Sequence, residues 1–238
     1  MTDKPEIAAH FAGVDVPASP FLNPKRIERI NAGRYEGQEI AGAQHLVQPG
    51  DKVMEMGAGL GIVGAVSVAA KKGAKLLSFE ANPSLIPHIR SLYALNRLKS
   101  RAEVRNQVLI SAPDRPSTLP FAVHNSYLGS SLTGDPDRAL KMVDVETADF
   151  NAVAQKYQPN VMLMDIEGGE LEVLQHADLA ALKSLRGLVI EFHPDQYGVS
   201  GMKKTKNVLR EAGFARIDDL STRTVWIAER QVADGSPA

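Results

Sequence analysis

Cysteine is absent from the 238 residues of this chain. Without thiols, the chain forms no disulfide, thiolate nucleophile or zinc–thiolate site. An excess of either charge is also missing, because 27 basic and 28 acidic residues give a formal net charge of -1. Proteins that bind nucleic acid usually carry a basic surface, so we expect a small-molecule or saccharide partner and no nucleic acid.

Long apolar runs are absent as well, and the polar start MTDKPE does not resemble a signal peptide. We therefore expect a cytoplasmic protein with no membrane span. The length and the 44% hydrophobic content suit one globular α/β domain. The expected divisions are an N-terminal extension with a covering helix (1–34), the main domain (35–230) and a disordered tail (231–238).

A glycine-rich turn lies within KVMEMGAGLGIVG, residues 52–64. An apolar run with an acid, Glu55, leads into Gly57, Gly59 and Gly61, and small apolar residues follow. This pattern predicts a buried strand, a tight turn whose backbone a ligand can approach closely, and the start of a helix. A helix N-terminus favours a polar or anionic ligand group, so the stretch indicates a cofactor site.

Two cofactors fit the glycine pattern. Gly59, Gly61 and Gly64 match the G-x-G-x-x-G of a dinucleotide site, whereas the acid-x-G-x-G-x-G that begins at Glu55 is typical of S-adenosylmethionine sites. Glu80 ends the next strand, at the offset expected for an acid that binds ribose hydroxyls in either case. The glycines alone do not decide between these cofactors.

Strands and helices alternate after this turn, which predicts a mostly parallel sheet with helices on both faces. Five parallel strands are expected at VMEM, KLLSFE, AEVRNQVLI, NVMLMDIE and GLVIEFH, and ARIDDL with TVWIAER is expected to form an antiparallel C-terminal hairpin. A dinucleotide fold is wholly parallel, so this seven-stranded sheet favours the methyl donor.

The flanking segments are less regular. The prolines before residue 21 make a regular element there unexpected, whereas Asn23 and Pro24 predict a helix start. A second helix, EGQEIAGAQHLV, is expected to cover the cofactor end of the sheet. The side chains in or just before this helix either contact the ligand or are solvated, namely Tyr35, Glu36 and Glu39. Between strands three and four, FAVHN is expected to form one more strand, and polar substrate contacts are expected at Asn125, Ser126, Ser130 and Ser131.

A second group of polar residues follows two buried strands. Asp165 and Glu167 end one strand, and Glu191 and His193 end its neighbour, so all four are expected beside the glycine turn. They could deprotonate a hydroxyl, hold a divalent cation or bind substrate. His193 is the best base by its unperturbed pKa, unless it only makes structural hydrogen bonds.

Three further expectations concern metal ligands and single side chains. A divalent cation at Asp165, Glu167 and Glu191 is the weaker hypothesis, and magnesium, calcium or manganese would suit it best. Glu170 is expected to serve the dipole of its helix. The remaining histidines show no metal-ligand spacing and are interpreted as uninvolved: His10, His45, His88, His124 and His176.

The segments MEMGAGLG, FEANP, VDVETADF and LMDIEGGELEVL followed by VIEFH resemble FkbM-type methyltransferases over residues 35–230. The D-x-E-G-x-E element is the most specific part. The resemblance implies a class I methyltransferase (Rossmann-like) fold and S-adenosylmethionine-dependent O-methylation of a hydroxyl on a small molecule or saccharide. The alternative is a non-catalytic regulatory module that binds S-adenosylmethionine.

The same resemblance implies roles residue by residue. Glu55 and the turn glycines would surround the methionine and ribose portions of the cofactor, and Glu80 would take the ribose hydroxyls. Asp165 and Glu167 would face the methyl group. The complete cofactor-binding set is Glu55, Gly57, Gly59, Gly61, Glu80, Asn82, Asn106, Gln107, Val108 and Asp165, and the catalytic set is Asp165, Glu167 and His193. Met164 stands where the family often has lysine.

Overall fold

The computed structural model describes residues 5–123 and 141–231, which form twelve strands and seven α-helices. The strands are β1 (Ile7–Phe11), β2 (Val14–Pro17), β3 (Lys52–Met56), β4 (Lys75–Phe79), β5 (Ala102–Arg105), β6 (Val108–Ile110), β7 (Thr118–Val123), β8 (Lys141–Asp149), β9 (Val161–Met164), β10 (Gly187–Glu191), β11 (Phe214–Arg216) and β12 (Val225–Arg230). The helices are α1 (Pro24–Asn31), α2 (Gly37–Leu46), α3 (Ile62–Ala69), α4 (Ile86–Leu95), α5 (Phe150–Tyr157), α6 (Glu170–His176) and α7 (Pro194–Glu211).

Some predictions fall outside this part of the chain. The proposed substrate contacts Asn125, Ser126, Ser130 and Ser131 are among them, together with His124 and all of the predicted tail except residue 231. Among the described residues, no helix is long and apolar enough to cross a membrane.

Seven strands form the main sheet, in the order β11-β12-β10-β9-β3-β4-β5. The five strands from β10 to β5 run parallel, and β12 pairs antiparallel with both β10 and β11. This arrangement confirms the predicted α/β fold and its C-terminal hairpin. The chain leaves β3 toward β4 and later returns on the other side of β3 as β9. Ligands bind beyond the carboxyl ends of strands at such a switch point.

Both faces of this sheet are covered, because successive strand residues point to opposite sides. Val53, Val161 and Ile227 are buried in one apolar cluster, which includes residues of α2, α3 and α4. Met54 and Met162, each one residue further along its strand, are buried in a second cluster that includes residues of α5, α6 and α7. The unbroken apolar strands of the sequence are therefore buried on both sides.

A β-hairpin occupies the proline-rich N-terminal segment, so the expectation of no regular element there was wrong. β1 pairs antiparallel with β2 around Ala12 and Gly13, whose φ angles are 48° and 81°. Val14 and Val16 are fully buried in the same core as α3 and α4. Pro17 is the last residue of β2, and Pro5 and Pro20 lie outside the hairpin, so no proline stands in the middle of its ladder.

The expected third strand, AEVRNQVLI, is divided into two. β5 ends at Arg105 and pairs with β4, whereas β6 joins a separate three-stranded sheet in the order β6-β8-β7. Asn106 lies at the break, and its side-chain amide donates to the carbonyl oxygens of Glu80 and Ala81, each at 2.9 Å. These bonds hold the residues that follow β4, at the point where the chain leaves the main sheet for the second sheet.

Candidate functional site

A cavity of about 580 Å³ opens at the carboxyl ends of β3, β4 and β9. Its volume lies within the usual range for small-molecule and cofactor sites. Most of the predicted site residues line it, namely Glu55, Gly57, Gly59, Glu80, Gln107, Val108, Asp165 and Glu167. Four of the predicted residues are not among those that line it: Gly61, Asn82, Asn106 and His193.

The glycine turn passes very close to the end of β9. Gly57 has a φ of 82°, and a Cβ added to it would lie 1.6 Å from the carbonyl oxygen of Asp165. The amides of Gly57 and Ala58 both donate to the carbonyl oxygen of Phe79, at 3.0 and 3.1 Å. Only glycine fits this backbone conformation and this approach together, so the turn is fixed against both neighbouring strands.

Glu55 stabilises the structure around the glycine turn through two hydrogen bonds. One of its carboxylate oxygens accepts a hydrogen bond from the Gly64 amide at 2.7 Å, and the other accepts one from the Ser78 hydroxyl. Burial raises the Glu55 pKa to about 7, although these two bonds oppose the rise. Both oxygens thus have partners within the protein and hold α3 against β4, a role that the sequence did not predict. The cofactor contact assigned to Glu55 remains a prediction.

Glu80 connects the first two βα turns. Its carboxylate accepts hydrogen bonds from the amides of Gly59 and Asn82, each at 2.7 Å. Burial raises the Glu80 pKa to about 7, and the backbone bonds oppose that effect. Asn82 in turn accepts from the Ser84 amide at 3.0 Å, which shapes the turn before α4. The carboxylate is therefore held in one orientation at the cavity wall.

The loop after β9 does not continue the strand. β9 ends at Met164, and Glu167 has a left-handed φ of 51°. The strand predicted to end in Asp165 and Glu167 therefore stops before both of them. They are instead brought together around His193, whose Nε2 lies 3.5 Å from Oδ1 of Asp165 and 3.5 Å from Oε2 of Glu167.

Glu170 organises this loop and the imidazole beside it. Its side chain is fully buried, and Oε1 lies 2.9 Å from Nδ1 of His193. The same oxygen accepts from the amides of Ile166 and Gly168, at 3.3 and 3.2 Å. A carboxylate that serves only the helix dipole would have no need of such burial, so Glu170 has a specific structural role. The sequence indicated it only through the acid at the first position of α6.

The protonation of His193 differs from the sequence-based interpretation. Burial lowers its pKa, but the hydrogen bond and charge of Glu170 and the charges of Asp165 and Glu167 together raise it to about 9. The ring therefore holds a proton at neutral pH. Its choice as the best base depended on an unperturbed pKa, and the surrounding carboxylates contradict that premise.

The carboxyl groups of Asp165 and Glu167 both have raised pKa values. Burial and then the charge of Glu191 raise the Asp165 pKa well above its usual range. Burial also raises the pKa of Glu167, which the charge of His193 partly offsets. Oδ1 of Asp165 is buried, and no hydrogen-bond donor reaches it from the residues that the structure describes. These two carboxylates are consequently better suited to accept a proton than His193.

A second group of acids adjoins the first. Glu36 and Glu39 line the cavity, and they approach Glu191 at the end of β10. Burial raises the pKa of Glu36 and of Glu191 to about 7, and in both cases the charge of Glu39 raises it further. The proposed cation ligands are thus divided, because Asp165 and Glu167 group with His193 and Glu191 groups with Glu36 and Glu39.

The family described as "Methyltransferase FkbM domain" matches residues 55–216. A search of curated proteins gave no match.

Among solved structures, a TehB-like SAM-dependent methyltransferase from Corynebacterium glutamicum is similar at 14% identity and a TM-score of 0.47, over 86% of this chain and 93% of that one. Precorrin-6y C5,15-methyltransferase from Geobacter metallireducens is similar at 12% identity and a TM-score of 0.46, over 83% and 89%. These likenesses are distant, whereas the family match spans more than half of the chain. This chain therefore belongs to the FkbM family of S-adenosylmethionine-dependent methyltransferases.

Proposed function

We propose that this chain transfers a methyl group from S-adenosylmethionine to a hydroxyl of a small molecule or saccharide. The observation that carries the proposal is the convergence of the glycine turn, Glu80 and the Asp165 loop on one cavity. Methyl transfer needs the acceptor oxygen in line with the donor methyl, a site that excludes water, and a base within hydrogen-bonding reach. The cavity could hold the donor and an acceptor together, with Asp165 as the candidate base.

The cofactor end of the cavity fits the methyl donor. Glu80 would hold the ribose hydroxyls, Gln107 and Val108 would border the adenine with Asn106 behind them, and the glycine turn would border the methionine portion. S-adenosylmethionine supplies a methyl group on a positively charged sulfur. The many carboxylates of the wall suit a cationic ligand of this kind.

At the acceptor end, Asp165 would act as the base, with Glu167 beside it. Oδ1 of Asp165 is buried without a hydrogen-bond partner among the described residues, so a bound hydroxyl would satisfy it. His193 lies 3.5 Å away, which is too long for a hydrogen bond but close enough for its charge to favour the ionised carboxylate. The protonated imidazole thus opposes the rise in the Asp165 pKa and favours the ionised form, which alone can accept the hydroxyl proton.

The acceptor itself is expected to lack phosphate. Besides Glu36, Glu39, Asp165 and Glu167, the cavity is lined by Asp114 and Glu172, and Arg115 is the one basic residue among its described lining. A polyanion such as nucleic acid would meet this wall with like charge. We therefore favour a neutral or cationic hydroxyl compound over RNA or DNA.

Methyl transfer to a panel of hydroxylated small molecules and saccharides tests the proposal, with formation of S-adenosylhomocysteine as the readout. Parent protein should convert at least one acceptor to its methyl ether, and Asp165→Asn should lose most of the turnover while still binding cofactor. Asp144→Asn, an exposed position on β8, is the matched control. If cofactor binds but no acceptor is ever methylated, the chain is a regulatory module and the proposal fails.

A further inference from the structure

Three glutamates from separate parts of the chain meet beside the cavity, and two of them, Glu36 and Glu39, line it. Glu36 directly precedes α2, Glu39 lies in the first turn of α2, and Glu191 ends β10. Each provides a carboxylate oxygen, and these three oxygens all lie within 4.8 Å of one another. We call these residues the glutamate triad.

Glu39 is the member whose environment is hardest to explain without a ligand. Its residue surface is only 9% exposed, and it lines the cavity. Across residues 5–123 and 141–231, no hydrogen bond or ion pair satisfies its carboxylate. Buried carboxylates in folded proteins are normally paired or coordinated. A buried acid that faces a cavity beside two other acids therefore indicates a cationic ligand.

The negative charge of the triad favours a divalent cation over a monovalent one at this position. Three carboxylates together supply up to three negative charges, and an ammonium group would balance only one of them. Arg29 and Arg26 act on Glu36 from outside the triad, and burial still leaves the Glu36 pKa raised. A divalent ion balances the site more completely than a monovalent one.

Ligand type and spacing favour one class of metal. All three donors are carboxylate oxygens, which suit hard cations and not the nitrogen and sulfur preference of zinc. Oxygens on opposite sides of a calcium ion lie about 5 Å apart at ordinary bond lengths. The spacing of the triad falls within this limit, so one ion can touch all three carboxylates after small side-chain adjustments.

We propose that Glu36, Glu39 and Glu191 bind one divalent cation of the oxygen-preferring class, Mg²⁺, Mn²⁺ or Ca²⁺. Three protein ligands leave coordination positions open toward the cavity, where an acceptor oxygen could bind. This use in the reaction depends on the proposed methyl transfer, whereas the binding of the ion does not.

The test is a titration of the full chain, stripped with chelator, with Mn²⁺, followed by electron paramagnetic resonance of the free ion and by calorimetry. Parent protein should bind one ion per chain, and Mg²⁺ or Ca²⁺ should compete. Glu39→Gln and Glu191→Gln should each weaken Mn²⁺ binding by about tenfold or more, because each removes one charged ligand. Glu172→Gln, a lining acid outside the triad, and Asp165→Asn should bind the ion like the parent.

Thermal unfolding separates loss of the site from loss of the fold. In chelator, Glu39→Gln should melt no lower than the parent, because one repelling charge is gone, and added Mn²⁺ should no longer raise its melting temperature. Absence of Mn²⁺ binding to the parent at millimolar concentration would overturn the inference. Loss of binding in Asp165→Asn alone would assign the ion to the other group and overturn it as well.

A competition experiment between S-adenosylhomocysteine and Mn²⁺ completes the test. If S-adenosylhomocysteine displaces Mn²⁺, the triad holds the ammonium of the cofactor and the metal proposal is wrong. If Mn²⁺ binds through the triad while S-adenosylhomocysteine does not bind at all, the metal site stands and the proposed function fails. The two proposals are therefore distinguishable in one set of titrations.

Discussion

Gly57→Ala is the substitution for which the structure gives the clearest energetic expectation. The φ of 82° alone costs an alanine about 1–2 kcal/mol. The new Cβ would also lie 1.6 Å from the carbonyl oxygen of Asp165, whereas real Cβ contacts essentially never fall below 3.0 Å. The turn must therefore move away from the end of β9.

That movement strains two hydrogen bonds beside the clash. The Gly57 amide donates to Phe79 at 3.0 Å, and the Asp165 amide donates to Met56 at 3.0 Å. Each contributes about 1 kcal/mol. Together with the backbone cost, we expect Gly57→Ala to lower the free energy of unfolding by about 3–4 kcal/mol.

Gly50→Ala is the matched control for this experiment. Gly50 has a similar φ of 85°, and nothing lies within 4 Å of its added Cβ, so only the backbone cost applies. Urea denaturation of both variants should show Gly57→Ala less stable than Gly50→Ala by about 2 kcal/mol, the contribution of two lost hydrogen bonds. Equal destabilisation would refute the close approach of the glycine turn to β9.

Three further predictions concern the buried acids. Glu170→Gln removes a charge beside His193 and should lower the histidine pKa from about 9 toward its ordinary value; an unchanged NMR titration of the ring would contradict their pairing. Ser78→Ala removes a donor to buried Glu55 and should cost about 1–3 kcal/mol in urea denaturation, and a neutral result would contradict that bond. Because the folded-state pKa values of Glu55 and Glu80 lie near 7, above the ordinary 4.5, the folded state binds these protons more tightly. Stability of the ligand-free protein should therefore fall as pH rises from about 5 to 7, and less steeply in Glu55→Gln; identical slopes would count against the shift.

The central sheet could be predicted because its signals are local. Each parallel strand is a short apolar run, and the glycines and acids that follow mark where it ends. The N-terminal hairpin was missed because proline content outweighed the alternation of Val14 and Val16, which are buried. The break at Asn106 was missed because two strands in different sheets lie only two residues apart, and the side-chain bonds that divide them are not visible in the pattern.

The partnerships of the site could not be predicted from spacing. Glu170 begins α6 and His193 directly precedes α7, and the packing of these two helices brings the side chains within 2.9 Å of each other. That contact reversed the expected protonation of the histidine, since its pKa depends on neighbours distant in sequence. The meeting of Glu39 with Glu191 arises in the same way, from α2 packed on β10.

Calorimetric titration of the purified chain with S-adenosylhomocysteine and, separately, with NAD tests the account most directly. S-adenosylhomocysteine should bind one molecule per chain, and NAD should give no binding heat. Glu80→Ala should weaken the affinity by about 1.5–3 kcal/mol, roughly ten- to a hundredfold, because ribose hydroxyls would lose a charged acceptor. Glu103→Ala, on the exposed face of β5, is the control and should bind like the parent. Binding of NAD without S-adenosylhomocysteine, or unchanged affinity in Glu80→Ala, would contradict the assignment of this cavity.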